Sequence, residues 1–285
     1  MLLKDRVAII TGGGRGIGRV VALRLAQRGW EVHAGVRRAE DGDALRAAAD
    51  VGTSGGALRP VVLDVTNAEQ VAALPGALGP GLDAVVNNAG IVVSGPLEAV
   101  PVDDLRRQLD VNVVAQVAVT QAVLPLLREA TGRILFVGSV SGRFASPFMG
   151  AYNASKFALE GIADAMRMEL RRWGIHVVLV EPGSIDTDLW RGALDTADEV
   201  EAGMAPEHRD LYRTQIKAMR KTVGRIQKRT SPPEKVADAV EIALTTARPK
   251  ARYVVGADAR VQMALRAALP TRVVDAAVTR IATGD

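Results

Sequence analysis

The chain has no cysteine among its 285 residues. Disulfides, a thiolate nucleophile and thiolate zinc sites are thereby excluded, which suits a reducing compartment without requiring one. Histidine is scarce too. His33, His176 and His208 stand at no metal-ligand spacing and read as structural or exposed, so no bound metal is expected. Aromatic residues make up 4% and never alternate with basic ones along a candidate groove, so no nucleic-acid partner is expected. Nor is there a long unbroken apolar run. The most apolar helical stretch, residues 111–127, is interrupted by Asn112, Gln116, Thr120, Gln121 and Pro125, and reads as a buried or interface helix rather than a bilayer span. The opening MLLKDRVAII runs directly into a strand pattern and lacks the apolar core and cleavage site of a secretion signal, so the expected location is cytoplasmic.

What is present is an ordinary globular composition, 48% hydrophobic and 24% charged, with a formal charge of only +4. The length is ample for one large core. Apolar, β-branched runs recur at 7–10, 32–36, 60–63, 82–86, 134–137, 177–180 and 253–255, with helical periodicity between most of them. That alternation predicts the α/β class: one domain over residues 1–285, with helices on both faces of a mostly parallel sheet of about seven strands.

The first run leads into Thr11-Gly12-Gly13-Gly14-Arg15-Gly16-Ile17-Gly18, followed by an amphipathic helix that stops at Gly29. A backbone that must turn sharply and lie against a pyrophosphate needs glycine, and the helix it opens aims unpaired N–H groups at phosphate oxygens. The candidates are Gly12, Gly14, Arg15, Gly16, Ile17 and Gly18. A flexible loop would use the same residues, but a position between the first strand and the first helix favours dinucleotide binding. The second run ends in Arg37 and Arg38, where an acid would select NAD through its ribose hydroxyls. Guanidinium groups there, with Arg15 opposite, suit the extra phosphate of NADP(H), leaving NAD(H) as the alternative cofactor and merely solvated arginines as the competing account. Asp64 closes the third run, beside Val65, and can accept a hydrogen bond from an adenine amino group. Asn87, Ala89 and Gly90 follow the fourth run as a wall of small and amide-bearing residues.

Tyr152 and Lys156 stand four apart, so on a helix they share one face. A free phenol titrates near ~10, and an adjacent ammonium is expected to bring it down toward working range. Ser139 lies just past the fifth apolar run, where a sheet of this kind presents groups to a ligand. With 3 tyrosines and few lysines, chance produces such a Tyr/Lys pair about 7% of the time, so the weight rests on all three residues together. Ser139, Tyr152 thirteen residues on and Lys156 resemble the catalytic set of the short-chain dehydrogenase/reductase family, and the glycine spacing 12, 16, 18 is similar to that family's dinucleotide turn.

The resemblance extends through Thr187 and implies a Rossmann-type fold that moves hydride between a nicotinamide cofactor and an alcohol or its carbonyl counterpart. It makes Tyr152 the proton carrier, Lys156 the ribose ligand and Ser139 the partner of the substrate oxygen. It adds Asn112 as a fourth catalytic member on a proton path, where the residues alone suggest a satisfied core amide. It also sets Pro182, Gly183, Ile185 and Thr187 beside the nicotinamide, makes 184–230 a substrate lid, and pairs helices near 111–127 and 151–171 into a homodimer or homotetramer.

Inside that lid, Tyr212, Ile216, Met219, Val223 and Ile226 form a narrow apolar stripe if 206–229 is one helix, opposed by a basic residue at every fourth position from Arg209 to Arg229. The stripe, with a likeness to the retinol and hydroxysteroid branch of the family, suggests a small-molecule substrate that is bulky and lipophilic. A 3-oxoacyl thioester reductase is the enzymatic alternative, its substrate's phosphate meeting the basic face. A non-catalytic NADP-binding sensor is the alternative of another class, and contact of the basic face with a membrane surface is less favoured. Ser231-Pro232-Pro233-Glu234 reads as a capping box, and 257–285 as a helical extension broken at Pro270.

Overall fold

Seven short runs of β-branched and apolar residues build one sheet in the order β3-β2-β1-β4-β5-β6-β7, parallel at every pairing. The computed structural model describes residues 6–49 and 55–282. The reading of the first five residues, and the last three of the helical extension, lie outside the described residues. The strands are β1 (Val7–Ile10), β2 (Glu31–Val36), β3 (Ala57–Val62), β4 (Ala84–Asn87), β5 (Arg133–Val137), β6 (His176–Pro182) and β7 (Arg252–Val255). Between and after them run α1 (Gly16–Gln27), α2 (Ala39–Ala47), α3 (Ala68–Leu78), α4 (Val102–Leu109), α5 (Ala115–Ala130) and α6 (Gly150–Glu169). The later helices are α7 (Asp188–Arg191), α8 (Ala193–Gly203), α9 (Pro206–Leu211), α10 (Arg213–Gln227), α11 (Glu234–Thr245), α12 (Ala257–Ala268) and α13 (Thr271–Ala282).

The strands read as continuous apolar runs because helices cover both sides of them. On one face α1 and α11 bury Val21, Leu25, Val236 and Val240 with Trp30. On the other α3, α5 and α6 bury Leu74, Val119, Val123 and Leu159 with Phe136. The chain leaves β1 toward β2 on one side and later returns to β4 on the other. That reversal opens a crevice at the carboxyl ends of the central strands, where such sheets hold ligands.

The helix after β4 departs from expectation. Val102–Ala130 runs on for 29 residues and is long and apolar enough to span a bilayer, contrary to the reading of its polar interruptions. Three of those interruptions, Asn112, Gln116 and Thr120, lie on the buried face. Gln116 donates to the Ala89 carbonyl (2.9 Å), and Thr120 accepts from Asn87 (2.8 Å), so the polar residues fasten the helix to the end of β4. A π turn at Asp110–Val114 separates α4 from α5 and carries Asn112.

The stretch 206–229 is not one helix. It breaks at Tyr212, whose hydroxyl donates to Glu98 (2.7 Å) and whose ring meets Phe148 edge-on at 6.1 Å. The remaining stripe packs inward: Ile216 is buried where α10 lies on α8, and Arg220 of α10 is ion-paired to Asp198 and Glu201 of α8. The capping box does not form either. Pro233 precedes α11, and Ser231 spends its backbone on Ser184 and Asp186, tying the far end of the lid to the turn after β6.

Candidate active site

The carboxyl ends of the central strands open onto a groove of about 700 Å³, ample for a dinucleotide and a small substrate. The turn between β1 and α1 forms one wall. Gly12 and Gly16 take φ of +66° and +53°, which side chains rarely tolerate. A Cβ on Gly12 would stand 3.0 Å from the Ala89 Cα, and one on Gly18 only 2.3 Å from the Gly12 carbonyl oxygen. Gly18 thus lets α1 close onto the turn. No side chain caps α1, so its first N–H groups are left for a ligand, and the cradle fits a pyrophosphate.

Gly12, Gly14, Arg15, Gly16, Ile17, Arg37, Arg38, Asp64, Val65, Ala89, Gly90, Pro182, Gly183, Ile185 and Thr187 all line this groove. Gly18 and Asn87 do not. Asn87 is fully buried beneath it. Its neighbour Asn88, the second amide of the same segment, lines the groove and donates to the Thr11 and Gly12 carbonyls (3.0 and 3.2 Å). Strand parity carried the signal, because successive residues leave β4 on opposite faces and Val85 already points to the α5 side. Asp64 accepts from the backbone and hydroxyl of Thr66, and these bonds hold its carboxyl below the usual range.

The arginines are not equivalent. Arg38 is held by two hydrogen bonds to Asp41 (3.1 and 2.8 Å), a carboxylate in the groove wall that sequence reasoning passed over. Arg15 and Arg37 have no hydrogen bond or ion pair among the described residues, and all three guanidinium groups act to hold the Asp41 carboxyl low, Arg38 foremost. Two such cations, one before α1 and one after β2, suit a phosphate.

Ser139, Tyr152, Lys156 and Asn112 meet in the same groove. Ser139 follows β5, its hydroxyl 3.4 Å from the Pro182 carbonyl and accepting from Ser141 N–H (3.1 Å). Tyr152 and Lys156 share the first turns of α6. The expected lowering of the phenol is not what the site shows. Burial pushes Tyr152 above its ordinary value, opposed in part by a hydrogen bond with Ser139. Lys156 is itself buried, which brings its ammonium down to about 8. Its Nζ donates to the Val137 carbonyl (2.8 Å) and lies 5.7 Å from the centre of the Tyr152 ring. Asn112 is fully buried, accepting from Ile91 N–H (2.8 Å) and donating to the Ile91 carbonyl (3.0 Å) and the Ser155 hydroxyl (3.2 Å). Gln108 braces the same loop by accepting from Val93 N–H (2.6 Å). Neither Gln108 nor Ser155 stood out in the sequence, where they look like ordinary helical polar residues.

Next to the site, Glu181 is wholly buried between Glu160 and two arginines, Arg143 at 3.7 Å and Arg252 at 3.6 Å. While both carboxylates are ionised, neither Glu181 oxygen finds a donor among the described residues. Burial first, and Glu160 second, raise its carboxyl to about 7. From near 4.5 to about 7 the folded chain keeps a proton that the unfolded chain has released. Stability therefore falls as pH rises through that window and stays lower above it. Glu181→Gln is expected to remove this fall and to stabilise the protein at pH 8 by about 1–3 kcal/mol, read as urea midpoints at about pH 5 and 8. An unchanged pH dependence would reject the assignment.

A glycine turn at the reversal point of a parallel sheet, with a Tyr/Lys pair in the same groove, defines a dinucleotide-dependent oxidoreductase. The family model described as short chain dehydrogenase matches residues 6–198, and the chain belongs to that family, whose enzymes act on CH–OH and carbonyl groups. An NADPH-dependent 3-dehydrocapnine reductase of Ornithobacterium rhinotracheale is 33% identical over 282 residues, covering 95% of each protein. Retinol dehydrogenase 5 of Mus musculus is 35% identical over 98% of this chain and 92% of its own. A solved structure of a short chain dehydrogenase from Burkholderia cenocepacia, in complex with NADP, matches with a TM-score of 0.73 at 28% identity, covering 99% of both chains.

Proposed function

We propose that this protein interconverts an alcohol and its ketone or aldehyde with NADP(H), on a bulky lipophilic substrate. The observation that carries the reading is the convergence of Ser139, Tyr152 and Lys156 on the groove that also holds the glycine turn, Arg15 and Arg37. A bound nicotinamide supplies or accepts the hydride. The chain manages the proton. In reduction, neutral Tyr152 gives its proton to the carbonyl oxygen while the Ser139 hydroxyl donates to the same atom. Lys156 then stabilises the phenolate left behind. Burial holds the phenol protonated at neutral pH, the form that a proton donor in reduction requires. Both amide atoms of Asn112 are committed, so a part in a proton path falls to its backbone, which lies within the π turn.

The free guanidinium groups support NADP(H), as do the NADPH in the name of the bacterial relative and the NADP in the solved one. Apolar Ile91, Val92 and Trp190 in the groove support a lipophilic substrate, and a relative named for retinol agrees. Exposed Val102, Val114, Phe157 and Met168 on α4 to α6 support pairing of subunits through those helices. The test is NADPH oxidation with a panel of carbonyl compounds. Bulky polycyclic or polyene ketones and aldehydes are expected to outpace short-chain ones. A preference for a 3-oxoacyl thioester would replace the substrate class, and NADPH binding without turnover on any member would mark a sensor.

A further inference from the structure

The helical extension leaves an apolar surface uncovered that the groove does not use. Val261, Leu265 and Leu269 are 57%, 49% and 37% exposed, and Val273 and Ile281 are 48% and 62% exposed. Each set repeats at four-residue spacing, with Ala277 completing the second, so each helix carries one outward apolar stripe. Every residue from 264 to 273 is exposed, which makes the turn at Pro270 a protruding corner. Arginines flank the stripes. Arg260 and Arg266 fall about 120° to either side of the α12 stripe, and Arg272 and Arg280 are exposed on α13. None of the four has an ion-pair partner among the described residues, and Asp275 is the one exposed acid from 257 to 282. Asp258 is taken up by Ser184 N–H at 2.8 Å.

We propose that this corner seats the protein on an anionic lipid surface, α12 and α13 lying in the interface with their leucines and valines among the acyl chains and their arginines at the headgroups. A second copy of the chain is disfavoured by charge, because a two-fold contact would set the arginines of one copy against those of the other. A protruding ridge also fits a plane better than a groove. The surface continues onto the lid. The Thr222 hydroxyl of α10 donates to the Ile281 carbonyl (2.9 Å), and Lys221, without an ion pair among the described residues, sits one residue, about 100°, around α10 from it, so the lid's basic row borders α13. Asp258 fixes the other end of the extension to the turn beside Gly183. Lipid contact would thus be made by the elements that frame the groove. This inference does not depend on the redox chemistry.

The experiment is co-sedimentation of the full chain with vesicles of phosphatidylcholine alone and of phosphatidylcholine mixed with phosphatidylglycerol. Binding is expected to the mixed vesicles only and to weaken with salt. Arg266→Gln and Arg272→Gln should each weaken it about fivefold. Leu265→Glu with Leu269→Glu should abolish it while NADPH affinity and turnover of a water-soluble carbonyl stay unchanged. No sedimentation with the mixed vesicles would overturn the proposal, and so would sedimentation that survives the double leucine variant. A concentration-dependent oligomer, seen by light scattering and lost in that variant without any vesicle binding, would give the surface to a second copy instead.

Discussion

Tyr152→Phe is expected to lower turnover by roughly a hundred- to ten-thousandfold while leaving NADPH affinity nearly unchanged. The substitution removes one oxygen and keeps the ring, so the packing at the start of α6 and the 5.7 Å spacing to the Lys156 ammonium survive. What is lost is the acid. Burial keeps the Tyr152 phenol protonated at neutral pH, and of the hydroxyls that meet there, Ser139 is far too weakly acidic to replace it. Initial rates of NADPH oxidation read the loss, and quenching of protein fluorescence by NADPH reads the affinity. A variant that keeps most of its rate would remove Tyr152 from the chemistry, whereas equal losses in rate and affinity would recast it as a packing residue.

The central strands were legible because they are buried on both faces, which forces β-branched, apolar runs that stand out from the helices between them. The run at Val7–Ile10 coincides with β1 to the residue. The glycine turn was legible for a related reason, since the left-handed backbone at Gly12 and Gly16 favours glycine over residues with a side chain. What escaped depends on partners distant in sequence. Nothing near Tyr212 announces that its hydroxyl reaches Glu98, the contact that accompanies the break between α9 and α10. The Ser231 cap fails because the turn after β6 claims that backbone. The phenol rises where four-residue spacing suggested a fall, because spacing gives the face that Lys156 occupies but not the depth of burial that keeps the Tyr152 proton on. Polar Gln116 and Thr120 looked like interruptions of an apolar helix; they are its anchor to the sheet.

Arg37→Asp is expected to move the ratio of NADPH to NADH affinity toward NADH by roughly a hundred- to a thousandfold. A hydrogen bond to a charged group contributes about 1.5–3 kcal/mol, and the new carboxylate adds repulsion toward a phosphate. The surroundings set the sign. Asp41 and Asp64 already lie within the field of Arg37, so a carboxylate at 37 turns this end of the groove negative, which disfavours an extra phosphate and suits ribose hydroxyls. Arg38 provides the internal control. Its guanidinium is already engaged by Asp41 through two hydrogen bonds, so Arg38→Asp should cost NADPH less affinity than the change at Arg37. Both positions are exposed, and the Arg37 effect should shrink as added salt screens the charges. Fluorescence titrations with the two cofactors at low and high salt decide it. An unmoved ratio in Arg37→Asp, or a larger effect at Arg38, would mean that the phosphate is held by other groups and that the end of β2 only faces solvent.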